Sequence, residues 1–424
     1  MARIFLSCLL LLLSAAFLPA EEYVPIYDEK EVPEYTLPDP LVFENGEKVE
    51  TAADWWKRRA ELLRLFSHHV YGKTLQGTPE GMHFESTKKL DSFLGGKATL
   101  EEIRIHFSEG SDGPFLDLLL IKPKEVPEAG VPTFVALNFR GNHSIHPSPE
   151  IALNQNWVSE SSSDRKAGVV VEHKATEKAR GFRSSRWPVE MIIDSGAALA
   201  TFYYGDVDPD FHDEFKNGVH EPFGVPGKGD WGSIGAWAWA TSRVRDFLES
   251  DEQVDQGRVA VFGHSRLGKT ALWAGAQDDR FALTISNNSG CGGAALSRRR
   301  FGERVSRINN SFPHWFCENF RQYNENESSL PVDQHQLIAL IAPRRVYVAS
   351  AEGDEWADPR GEFLSVKHAS PVFELLGKAG IAAESLPGLH EPVGGEVRYH
   401  IRAGKHDVTD YDWEQYLKAI HSLP

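Results

Sequence analysis

Long apolar runs are missing from this 424-residue chain after its first segment. No later stretch reaches the ~20 consecutive apolar residues that a bilayer-spanning helix needs, so no membrane-embedded part is expected. Basic residues are in deficit: 45 Lys and Arg face 61 Asp and Glu, giving a formal charge of −16. A protein that grips nucleic acid or an anionic membrane through a cationic face has the opposite balance, and neither partner is expected. Signatures of bound metal and nucleotide are also absent. There is no H-E-x-x-H, no P-loop and no G-x-G-x-x-G after a strand. The adjacent His68 and His69 cannot share one helix face, so they read as structural rather than metal-ligating. Neither an internal repeat nor a low-complexity linker divides the chain. Cysteine is scarce, with three in all.

What is present begins with Arg3, an apolar run from Ile4 to Phe17, and Ala20 just before Glu21 and Glu22. This has the form of a secretory signal peptide over residues 1–20, which places the mature protein in the periplasm or outside the cell. Cleavage removes Cys8 and one arginine, leaving Cys291 and Cys317 to pair in an oxidising compartment. With 41% apolar residues the remainder can bury a substantial core, and 11 Trp with 36 Gly suggest a loop-rich enzyme or a sugar-binding surface.

Residues 21–50 are rich in Pro, acid and Tyr without periodicity and read as an extended arm, followed by a helix over Ala53–Val70. Strands are expected at Ile103–Phe107 and Phe115–Ile121. Short buried-type strands follow at 133–139, 198–204, 258–262, 281–286, 345–350 and 397–403. Helical stretches at 237–248, 270–276 and 371–378 lie among them, and a closing helix is expected at 409–420. Strands alternating with helices indicate an α/β class: a mainly parallel sheet covered on both faces. The division expected is a leader (1–20), an arm and helix packed on the core (21–100), and one catalytic domain (101–424) with an irregular insertion at about 142–187.

The segment Arg258–Lys269 runs from a β-branched strand through Gly263, His264 and Ser265 into a helix. This is the form of a nucleophile elbow, in which a strained strand-to-helix turn exposes a serine at a helix N-terminus. Leu267 stands where G-x-S-x-G has its second glycine, and Gly268 follows. An α/β-hydrolase carries its triad in the order Ser, acid, His. After the strand at 345–350 comes an acid-rich loop holding Asp354, Glu355 and Asp358; after the last strand comes His406. Ser265 is therefore the candidate nucleophile and His406 the candidate base, with His400 its nearest competitor.

At Gly263–Lys269 the sequence resembles the glucuronoyl esterases, the carbohydrate esterases of family 15, whose elbow reads G-C/H-S-R-x-G-K. The likeness continues through Ser286–Gly293, Phe312–Cys317, Asp333–His335, Ala342–Arg344 and Trp356–Pro359, and is of the bacterial type. It implies an α/β-hydrolase fold, a three-layer αβα sandwich. It also implies a serine esterase that cleaves the bond between (4-O-methyl-)glucuronic acid of glucuronoxylan and lignin alcohols, without cofactor or metal. The expected partner is that ester alone, bound by a monomer. By position, the resemblance assigns Arg266 to oxyanion stabilisation and Lys269, Glu303 and Trp356 to the sugar. Many members carry the triad acid after the strand following the elbow; here that position is Asn288. The acid is therefore expected at Asp354, with Glu355 or Asp358 behind it. Two alternatives stand beside this reading: an acetyl xylan or feruloyl esterase on the same fold, and a non-catalytic secreted polysaccharide-binding protein.

Overall fold

The computed structural model describes residues 23–110, 112–224 and 226–424; the leader expected at 1–20 lies outside the described residues. The strands are β1 (His83–Phe93), β2 (Ala98–His106), β3 (Phe115–Pro123), β4 (Val131–Asn138), β5 (Val170–Val171), β6 (Lys174–Ala175), β7 (Ala198–Tyr203), β8 (Val254–His264), β9 (Leu283–Asn287), β10 (Arg345–Ala351), β11 (Val393–Gly394) and β12 (Val397–Arg402). All but β5 and β6 form one sheet in the order β1-β2-β3-β7-β4-β8-β9-β10-β12-β11. From β7 to β12 the neighbours run parallel, while β1, β2 and β3 join antiparallel at one edge and β11 at the other.

Strands β4, β7, β9 and β10 are buried throughout and β8 over its last six residues, and the period of two divides their side chains between two cores. Val135, Leu137, Val259, Val261, Val346 and Val348 face one core. Phe134, Ala136, Ala260, Phe262, Tyr347 and Ala349 face the other. The helices are α1 (Ala52–Phe66), α2 (Ser162–Ala167), α3 (Val189–Asp194), α4 (His220–Phe223), α5 (Ser233–Leu248), α6 (Arg266–Gln277), α7 (Val305–Ser311), α8 (Gln334–Ala339), α9 (Pro359–Leu375) and α10 (Asp410–His421). Helices α1, α5, α6, α8 and α9 bury apolar residues in the first core, α3 and α10 in the second, which makes three layers.

Several expectations shift on inspection. The stretch 371–378 is not a separate helix: α9 begins at Pro359, capped by the Asp358 carboxylate on the Gly361 N–H, and passes through Pro371. Strand β1 escaped the apolar pattern because most of it is exposed. It pairs with β2 from His83 to Phe93, so the division expected after residue 100 falls inside β2. The arm lies along the 299–303 segment: the Tyr23 hydroxyl donates to the Gly302 carbonyl (2.6 Å) and the Gly302 N–H to the Ile26 carbonyl (2.9 Å).

The expected Cys291–Cys317 disulfide is not formed; both are buried free thiols. The ring of Phe316, the residue before Cys317, packs against Gly292, the residue after Cys291. The Cys317 sulfur instead turns to the His68 carbonyl at 3.7 Å. Burial raises both thiols, Cys317 to about 11, so neither is poised as a thiolate.

Candidate active site

The parallel strands end together at one edge of the sheet, and the loops that follow them build the site. At the end of β8, Ser265 adopts φ 58° and ψ −128°, a conformation that non-glycine residues seldom hold. Three hydrogen bonds brace it: its N–H donates to the Asn287 carbonyl (2.9 Å), and its carbonyl accepts from the Gly268 (2.8 Å) and Lys269 (3.2 Å) N–H groups. Gly263 is obligatory, since a Cβ there would lie 1.8 Å from the Leu267 carbonyl oxygen. Leu267 is buried in the first core, and the second close approach falls on Gly268, where a Cβ would lie 3.0 Å from that of Ser289. Gly268 thus supplies the small residue that the G-x-S-x-G pattern places one position earlier.

His406, in the loop after β12, shares a cleft of about 230 Å³ with Ser265. Its Nδ1 lies 2.6 Å from Asp354 Oδ2, in the loop after β10. A buried carboxylate there fixes the Nδ1–H tautomer and leaves Nε2 as the basic nitrogen. The same Oδ2 accepts the Asn288 side-chain N–H at 2.7 Å. Asn288 is thus brought onto the carboxylate rather than onto the imidazole. The two other candidate acids of that loop lie apart: Asp358 is paired with Arg299 (2.9 Å), and Glu355 is exposed. His400 is buried between Asp412 and Tyr347, at 3.0 Å from each, and does not line the cleft. A second imidazole, His264, stands 4.5 Å from the His406 ring, and burial with the nearby His406 and Arg186 lowers its pKa well below the usual range.

Arg266 opens α6, where its N–H has no intrahelical acceptor and lies at the positive end of the helix. Its guanidinium stands 4.5 Å from the Trp315 ring centroid and pairs with Asp210. Asp210 also accepts from the Tyr204 hydroxyl (2.7 Å), Trp315 Nε1 (2.7 Å) and His314 Nε2 (2.9 Å). Burial opposes ionisation of Asp210, but Arg266 and these donors outweigh it and hold the carboxyl below the usual carboxylate range. Asp210 went unrecognised in the sequence. Its signal is there, however: it follows β7 at the site edge, and its donors His314 and Trp315 belong to the Phe312–Cys317 block.

Lys269, Glu303 and Trp356 form a second group outside the lining of that cleft. Lys269 Nζ, 3% exposed as a residue, donates to the Ser289 carbonyl and lies 3.8 Å from Glu303 Oε2. Burial lowers the lysine pKa against the pull of Glu303, and burial raises that of Glu303 against Lys269 and Arg266. The Glu303 N–H donates to the Trp356 carbonyl (3.0 Å), and Trp356 keeps part of its ring exposed beside Tyr23, at a centroid distance of 5.9 Å. The 142–187 insertion, by contrast, does reach the cleft, through Ser144, Ser159, Arg183 and Arg186, joined by Arg140. These arginines had no motif around them. Among the described residues no group of three or more His, Cys, Asp or Glu could hold a metal ion.

A family model of the glucuronyl esterases of fungi matches residues 180–377. A carbohydrate esterase from an unknown prokaryotic organism is 49% identical over 404 residues, covering 94% of this chain and 92% of its own. A 4-O-methyl-glucuronoyl methylesterase of Schizophyllum commune is 29% identical over 80% of this chain and 74% of its own. Among solved structures, a glucuronoyl esterase from Solibacter usitatus superposes with a TM-score of 0.86 at 48% identity, covering 92% of this chain and 99% of that one. With its parallel sheet, elbow and loop order, the chain has the α/β-hydrolase fold and belongs to carbohydrate esterase family 15, the glucuronoyl esterases.

Proposed function

We propose that this protein is a secreted or periplasmic serine esterase that hydrolyses the ester between (4-O-methyl-)glucuronic acid and an alcohol, as in lignin–carbohydrate esters of glucuronoxylan. The observation that carries the reading is the Asp354–His406 hydrogen bond of 2.6 Å, with His406 and Ser265 in one cleft. His406 Nε2 takes the Ser265 proton as Oγ attacks the uronate carbonyl. The oxyanion that forms is met by the Arg266 N–H and guanidinium, held in place by Asp210. His406 then gives the proton to the leaving alcohol, and water attacks the acyl-enzyme by the reverse sequence. Lys269 and Glu303 bind sugar hydroxyls, and Trp356 offers the pyranose ring an apolar face with an N–H at its edge. The relatives named for glucuronoyl ester hydrolysis support this choice of substrate.

Ser265→Ala is expected to abolish turnover of methyl and benzyl glucuronate; full activity in that variant refutes the mechanism. One observation favours a broader acyl range: a solved relative at 49% identity is described as a promiscuous esterase from a marine bacterial metagenome. A panel of benzyl glucuronate, methyl galacturonate and acetylated xylan decides the point. Faster turnover of acetylated xylan would make acetyl esters the substrate.

A further inference from the structure

The cleft beside Ser265 holds more cations than the ester chemistry uses. Arg140, Arg183 and Arg186 line it together with Arg266. Arg266 is matched by Asp210, and Arg186 Nε lies 2.5 Å from Asp407 Oδ1. Arg140 Nη2 lies 2.9 Å from Asp164 Oδ2. Arg183 reaches only the other oxygen of that same Asp164, at 4.0 Å, and its guanidinium makes no hydrogen bond among the described residues. Two aspartates thus serve three arginines, leaving one positive charge at Arg183 in a chain of net charge −16. Burial and the adjacent Arg140 and Arg186 both disfavour that charge. An anion arriving in the cleft relieves this cost.

The next step rests on the esterase reading above. His406 gives its proton to the departing alcohol, so the alcohol oxygen starts at His406. The next residue, Asp407, is the partner of Arg186, so the alcohol leaves along the arginine wall. The uronate cannot be the anion in the substrate, because its carboxyl is esterified and neutral, and its proposed contacts Lys269, Glu303 and Trp356 lie outside this lining. We infer that Arg140, Arg183 and Arg186 form a leaving-group subsite for an aromatic alcohol bearing a carboxylate, with Arg183 pairing to that carboxylate. The planar fork of a guanidinium matches a carboxylate in two hydrogen bonds, and Phe139 and Trp187 supply apolar lining for a ring.

The test compares two glucuronate esters with one acyl group, the benzyl and the para-carboxybenzyl ester. In the intact enzyme the carboxybenzyl ester is expected to show about tenfold higher kcat/KM at low ionic strength, as one partly exposed ion pair affords, with the ratio shrinking in molar salt. Arg183→Gln is expected to bring the ratio to about one. A second measurement needs no variant: para-carboxybenzyl alcohol is expected to inhibit benzyl glucuronate hydrolysis at about tenfold lower concentration than benzyl alcohol. Equal kcat/KM for the two esters, equal inhibition by the two alcohols, or an undiminished ratio in Arg183→Gln each overturn the subsite alone. Absence of turnover of both esters overturns the esterase reading and the subsite with it.

Discussion

Replacing Asp354 by Asn tests the triad proposed above at its acid. Two donors converge on Asp354 Oδ2: His406 Nδ1–H at 2.6 Å and the Asn288 amide at 2.7 Å. An asparagine at 354 can place its carbonyl there and satisfy both. The flipped amide would face the Asn288 NH2 donor to donor, and turning Asn288 over would leave that NH2 where only its unpartnered Oδ1 sits now. The productive tautomer of His406 is therefore retained in the variant, and the loss is that of the charge opposite the imidazolium in the transition state. At a charge separation of about 4 Å and an effective dielectric constant of about 20, that charge contributes about 4 kcal/mol. His406 has 41% of its side chain exposed, so solvent reduces this to about half or somewhat more. The expected fall in kcat is about 30- to 100-fold. That is less than the ~10⁴ seen when amide substitution in a serine-protease triad also imposes the wrong tautomer. Benzyl alcohol release from benzyl glucuronate under saturating substrate gives kcat, and thermal unfolding checks that the variant folds. A fall of less than tenfold in a folded variant refutes Asp354 as the orienting acid and returns attention to Asn288.

Three further outcomes follow from buried groups. Glu362 sits beneath the 288–290 loop, accepting the Ser289 and Gly290 N–H groups at 2.8 and 2.9 Å, and burial pushes its pKa up to about 7. A carboxyl raised on folding stabilises fully below its unfolded pKa, and that contribution is lost as pH rises through about 7. Glu362→Gln is thus expected to flatten the decline in unfolding free energy between about pH 4.5 and 7, by on the order of 3 kcal/mol in urea titrations. An unchanged pH slope rejects this. Asp210→Asn removes the charge that pairs with Arg266; a drop in kcat of about 10²-fold is expected, with about 3 kcal/mol of destabilisation in urea unfolding. Wild-type kcat would mean that Arg266 needs no anchor. Alkylation of the native protein followed by non-reducing mass spectrometry is expected to find Cys291 and Cys317 unmodified and unpaired until denaturant is added; an intact linked peptide pair contradicts the packing of Phe316 against Gly292.

The elements read most directly from the sequence were those whose character is local. The β-branched run before Ser265 and the acid loop and His406 after later strands lie in chain order, because each strand of a parallel sheet delivers its loop to the same edge. Strand β1 was missed because a mostly exposed hairpin strand carries little apolar signal. The start of α9 was misplaced because Pro359 and Pro371 punctuate one continuous helix. Non-local contacts were hidden as well. Asp210 meets Arg266, His314 and Trp315 from segments 56 to 105 residues away, and no spacing rule links them. The arginines of the 140–187 segment belong to the cleft only because irregular chain folds back over the sheet edge.

An amide at 288 beside a carboxylate at 354 has a simple geometric basis. Strands β9 and β10 are parallel neighbours, with Asn287 paired to Ala349, and the Asn288 N–H donates to the Ala349 carbonyl at 2.7 Å. The two strands therefore end side by side, about 4.8 Å apart in the hydrogen-bonding direction. A carboxylate in the loop after either one can reach an imidazole held above both. Placing it on the β10 loop while an amide occupies the β9 position gives the acid one extra donor and keeps a single ionised carboxylate. Two carboxylates at these positions would lie within hydrogen-bond distance and would have to share a proton, leaving His406 facing a half-neutralised partner. Asn288→Asp in the presence of Asp354 is therefore expected to hold a proton between the two acids and to move the acid limb of the kcat/KM profile to higher pH. A profile that superposes on that of the unaltered enzyme would show that residue 288 and Asp354 do not share the site.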